Sequence, residues 1–127
     1  MCFRVEHWNG PLTPLYIDCK QFRIVDFQNF TLTIEAGDNC VLLDEKEIVR
    51  IENLIEYHGK PFIIERSFGL LKNLYPDPFN STDLDIYHCS VLSHQLQVWP
   101  IELVKFKMYL MPLSGLQAYA AYPIENL

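Results

Sequence analysis

Apolar and polar positions alternate with a period of two through much of this chain, in runs that are short. Phe30-Thr31-Leu32-Thr33-Ile34-Glu35 is the clearest, since strict alternation puts one face of a strand in a core and the other in water. Residues 15–19 and 22–27 are short runs of aromatic and branched residues of β type. A turn at 36–39 separates them from the apolar run Cys40-Val41-Leu42-Leu43. Residues 48–57 read two ways, because Ile48, Ile51, Leu54 and Ile55 also fall at helical spacing. The turn residues His58, Gly59 and Pro61, with the β-rich run 62–68 beyond them, favour a hairpin.

Further along, Pro76, Pro78 and Asn80 predict a long ordered loop over 70–82, with one helical turn at 70–74. Alternation resumes over 84–92, a short strand runs from Leu96 to Trp99, and Pro100 ends it. In the next run Lys105 and Lys107 share one face, with Phe106 and Met108 on the other. Residues 118–127 form a last strand or a docked end. Trp8, Gly10, Pro11 and Pro14 mark residues 1–14 as an irregular arm. The whole predicts a mostly β protein: one small β-barrel or sandwich domain over 15–127, of about eight strands with short helical turns.

Composition changes this picture little. The chain has 127 residues, half of them apolar and 13% aromatic, enough for a core without staples. Net charge is −6, and the densest basic stretch is only Lys105 and Lys107. Duplex DNA needs clustered cations, so a protein or basic peptide is the better-matched partner. Residues 108–124 are uncharged but broken by Pro112, Gly115 and Pro123, so no membrane span is expected. The N-terminus lacks the apolar core of a signal peptide, which points to an intracellular setting.

Candidate chemistry is sparse. Cys2, Cys19, Cys40 and Cys89 lack metal-ligand spacing. Cys40, with Asp38 and one of His7, His58, His88 or His94, is a conceivable nucleophile set, although a buried thiol is the default inside an apolar strand. Asp83 and Asp85, placed on one strand, would share a face about 7 Å apart; an exposed acidic edge able to meet a basic tail is the simpler reading. Trp99 before Pro100 reads as a barrel plug or a stacking surface. No phosphate loop, nucleophile elbow or dinucleotide fingerprint is present. No cofactor, metal or catalysis is therefore expected.

The order of several features resembles the bromo-adjacent homology (BAH) domain over residues 36–110. Gly37-Asp38 precedes the Val41-Leu42 strand, and Arg50-Ile51-Glu52 follows. Then come a strand ending at Phe68, the run from Leu84 to Ser90, and Trp99-Pro100-Ile101 leading to Lys105. The chain is also similar, in a second and looser way, to BAH-like segments inside long proteins of mobile genetic elements. The resemblance implies a β-barrel that docks on histone tails or other chromatin partners in the nucleus. Some members hold methylated lysine in an aromatic cage, which works because such an ammonium is cheap to desolvate and drawn to ring faces. Here Arg66 and Ser67 stand where cage aromatics are expected, and the other frequent cage position falls near Ile48 and Val49. Phe68, Tyr75, Phe79 and Tyr87 are the rings left to build a substitute pocket, with Asp83, Asp85 and Trp99 as further contacts. The alternatives are an assembly domain of a viral or mobile-element protein, or a small-ligand barrel. The sequence leaves the oligomeric state open.

Overall fold

Among the ten strands of the described residues, six close into a ring. The computed structural model describes residues 1–27, 30–44, 46–114 and 117–124. The ring strands are β4 (Cys40–Leu43), β5 (Ile48–Tyr57), β6 (Lys60–Asn73), β7 (Tyr87–Leu92), β9 (Val104–Pro112) and β10 (Ala118–Pro123). Antiparallel pairing runs β5–β4–β9–β10–β7–β6, and β6 returns to β5, so the barrel is closed. Closure leaves none of the six ring strands as a free edge, the kind that makes a small sheet prone to aggregate. Outside the ring, β1 (Cys2–His7) and β3 (Phe30–Thr33) pair with β2 (Lys20–Phe27), β2 extends from β5, and β8 (Gln97–Pro100) pairs with β6.

The apolar pattern divides into two cores. Cys40, Leu42, Ile48, Phe68, Tyr87, Cys89, Met108, Leu110 and Ala121 form the first, to which every ring strand contributes. Val25, Leu32, Val41, Leu43, Val49, Ile51, Leu54, Ile63, Ile101 and Val104 form the second, between β4 and β5 and the covering β2–β3 layer. β4 thus serves both cores with alternate residues, which is why Cys40 to Leu43 is apolar without interruption. Each fully buried Leu or Ile contributes roughly 1.5–3 kcal/mol.

The strand reading of residues 48–57 holds. β5 and β6 form a two-residue hairpin with Tyr57 opposite Lys60. His58 (φ 50°) and Gly59 (φ 76°) supply the positive φ pair such a turn needs. Lys105 lies exposed on β9, while Phe106 and Met108 pack into the barrel core.

Several expectations are corrected. Cys2–His7, in the supposed irregular arm, is a strand whose Phe3 packs on the second core and whose His7 is buried. Residues 15–19 do not form a strand: Pro14 opens a 3-10 turn, Pro14–Tyr16, and Tyr16 packs on Tyr57 and Phe62. No helical turn forms at 70–74, because β6 runs on to Asn73 by pairing with β7. The loop is confined to residues 74–80 and leads into a 3-10 turn, Ser81–Leu84. Residues 118–123 form a strand, while 125–127 lie outside the described residues.

The arm is held by a buried polar network at the β5 bulge. The Asn53 amide nitrogen donates to the Pro11 carbonyl (3.0 Å) and to Gln21 Oε1 (2.9 Å). Its Oδ1 accepts from the Leu54 amide (3.0 Å) and lies 3.0 Å from His7 Nε2. Every polar valence of this fully buried amide is matched, as burial demands. A Cβ on Gly10 would lie 2.4 Å from Asn53 Nδ2, so only glycine lets the arm approach so closely.

Candidate functional site

The β5–β6 pairing places Arg50 directly opposite Arg66. Like charges in that position repel, and Glu52 answers them. Its Oε1 is 2.9 Å from Arg50 Nη2 and 3.0 Å from Arg66 Nε. The Arg66 N–H is close enough for ionic attraction but is not aimed at that oxygen, so Arg66 Nε, like Arg50 Nε, is buried without a hydrogen-bond partner. Glu52 reaches this position because it is the extra residue of a bulge: Ile51 pairs with Glu65 and Asn53 with Ile64. Bulges commonly re-aim a side chain in this way.

Two open lobes flank the triad. One, about 470 Å³, is lined by Ile34, Asn39, Arg50, Glu52, Pro112 and Tyr119. The other, about 540 Å³, is lined by Arg66, Phe68, Val91, His94, Gln117 and Tyr119. Tyr119 belongs to both, so the lobes read as one groove across β5, β6 and β10. Asn39 donates to the Ile51 carbonyl (3.0 Å), while its buried Oδ1 has no partner. The groove therefore offers apolar walls and a charged, hydrogen-bonding floor, a common composition for binding sites.

A second polar feature lies on the opposite side of β6. Glu65 is fully buried, and its Oε1 accepts the Trp99 indole N–H at 3.0 Å. Its Oε2 has no partner. Burial pushes this carboxyl up to about 7; the Trp99 hydrogen bond opposes the shift, and the charge of Glu47 adds to it. A small cavity lined by Leu43, Asp44, Glu47, Trp99 and Leu103 adjoins it.

The residues singled out in the sequence scatter. Phe68 and Tyr87 are buried in the barrel core, and Phe68 packs on Tyr119. Burial, then the Asp85 carboxylate, pushes the Tyr87 phenol up. Phe79 is half exposed on the loop and Tyr75 is part-buried at its start, so the four rings do not line one open pocket. Asp83 and Asp85 do not alternate on a strand. Asp83 lies in the 3-10 turn, and Asp85 closes it in a left-handed conformation (φ 58°). Trp99 is half-buried against the second core. Of the seven, only Phe68 lines the groove. Cys40 is fully buried, and burial, with Cys89 nearby, pushes its thiol up, the opposite of an activated nucleophile.

Sequence reasoning missed Arg50, Glu52, Asn39 and Tyr119, and it met Arg66 only as an absent aromatic. The available signal was two charged residues, Arg50 and Glu52, among the branched apolar residues that open the strand. Among the described residues, no three His, Cys, Asp or Glu side chains cluster as metal ligands, and no helix is long and apolar enough to cross a membrane.

The pattern that defines a domain of unknown function (DUF8592) matches residues 6–124, and the chain belongs to that family. No curated protein and no solved structure matches it.

Proposed function

We propose that this DUF8592 domain is a non-catalytic protein-interaction module that docks a peptide segment in the groove across β5, β6 and β10. The observation that carries this reading is the composition of the groove. Apolar walls at Tyr119, Pro112 and Phe68 flank two part-exposed guanidiniums that share a single carboxylate oxygen. Polar groups of that kind fix the register and orientation of a ligand, while apolar walls supply affinity. The BAH resemblance adds a chromatin partner, and with it a nuclear location, to the proposal.

The test is binding of the full chain to short peptides, displayed at random and, in a separate arm, as methylated and unmethylated histone tails. Tyr119→Ala is expected to weaken any binder found, since it removes a wall common to both lobes. Absence of binding in both arms would overturn the reading. An assembly role is the second reading, favoured by Trp8 and Leu15, which are 76% and 79% exposed, unusual for large apolar side chains. Concentration-dependent light scattering would support it.

A further inference from the structure

The ion balance on the groove floor is one negative charge short. Arg50 and Arg66 face each other across β5 and β6, and both are served by a single oxygen of Glu52. A fold that needed only internal compensation would be expected to offer each guanidinium its own carboxylate. Both Nε donors are buried without acceptors and lie out of a ligand's reach, so pairing from outside falls on the outer Nη groups of the two guanidiniums. Each arginine side chain keeps about a third of its surface, 32% and 30%, while Glu52 keeps 17%. The cations therefore face the groove more than their counter-ion does.

We infer that Arg50 and Arg66 form an anchor for a carboxylate brought in by an Asp or Glu of the docked peptide. This rests on the docking reading above and names the chemistry that the groove selects. A carboxylate suits two guanidiniums because its oxygens accept several charge-assisted hydrogen bonds at once. Tyr119, Leu110 and Pro112 on one side, with Phe68 and Val91 on the other, ask for apolar residues flanking the acid. The net charge of −6 does not forbid such a partner. Charges beyond a Debye length of about 8 Å are screened at physiological salt, whereas the anchor acts at contact. It does select against a run of acids, so the preferred segment carries one acid among apolar neighbours.

The experiment starts from random peptides selected on the full chain. Enriched peptides are expected to share a single Asp or Glu between apolar residues. Replacing that acid by its amide should weaken binding roughly tenfold or more, as for loss of a charge-assisted contact. Arg66→Gln should abolish the difference between acid and amide peptides. Glu52→Gln, which removes the internal competitor, should tighten binding of the acid peptide relative to the amide peptide; a purely structural triad would loosen both alike. Circular dichroism of each variant checks that it folds, and Glu52→Gln keeps the test decisive if an arginine variant does not. Enriched peptides without an acid would overturn the anchor while leaving the docking module standing. Failure to enrich any peptide would overturn both.

Discussion

Glu65→Gln should make the protein more stable at neutral pH and remove part of its pH dependence. Glu65 has no exposed surface and sits against the apolar second core with one oxygen unpartnered. In the unfolded chain its carboxyl titrates near 4.5, and burial raises this to about 7 in the fold. Between those values the folded state holds a proton that the unfolded state has released, so stability falls as pH rises. Below 4.5 both states are protonated and the effect vanishes; above 7 the loss is complete. A shift from 4.5 to about 7 corresponds to about 3 kcal/mol, a large fraction of the 5–15 kcal/mol typical of a domain. Gln keeps an oxygen for the Trp99 indole and cannot ionise. Urea unfolding followed by tryptophan fluorescence across this pH range measures both proteins. At pH 8 the variant should unfold at a urea concentration higher by roughly 1–3 M, and the two should converge near pH 4.5. Asp26, held low by Arg4 and Thr31, loses its contribution only in more acidic solution and leaves this window clear. Parallel stability curves for the two proteins between pH 4.5 and 7 would refute the reasoning.

Three further outcomes are expected. Phe68→Ala should cost about 3–5 kcal/mol, while Phe79→Ala on the exposed loop should change stability by less than about 0.5 kcal/mol; thermal unfolding compares them, and equal losses would contradict the burial assigned here. Gly10→Ala would bring a methyl to 2.4 Å from Asn53 Nδ2, break the buried network and cost about 1–3 kcal/mol, with faster exchange of the amide at position 10 as its local signature. Exposed Cys2 should react with a thiol reagent at pH 8 in the native protein. Cys89, pushed up to about 12 by burial, and Cys40, raised by the same cause, should react only at the rate of unfolding.

How much of this was legible follows from what each signal depends on. Period-two patterning reports whether one face of a segment is buried, so β3, β7 and β9 could be read directly, and β2 from its aromatic and branched residues. The turn at His58 and Gly59 settled the ambiguity of residues 48–57, because a two-residue turn needs positive φ and imposes strands on either side. β1 was missed because the Gly and Pro residues beyond it suggested an arm, whereas its pairing with β2 depends on residues about twenty positions away. The run 70–73 was missed for a similar reason: it is a strand only because β7 returns beside it.

The candidate site marks the limit most sharply. The sequence by itself determined a mostly β fold of short strands, a barrel or a sandwich, the β5–β6 hairpin, and the presence of Arg50, Glu52 and Arg66 as charges within apolar runs. Counting back from the turn, with Tyr57 opposite Lys60, sets Arg50 against Ser67 and leaves Arg66 facing Ile51. The structure sets Arg50 against Arg66, because the register slips by one residue between Ile51 and Asn53. That slip moves Glu52 out of the ladder and brings its carboxylate between the two guanidiniums. A bulge is decided by how both faces of β5 pack, Ile51 and Leu54 in one core and Ile48 in the other, and by the network that holds Asn53. Those contacts join distant parts of the chain, so no local pattern encodes them, and the groove floor exists only once the barrel has closed.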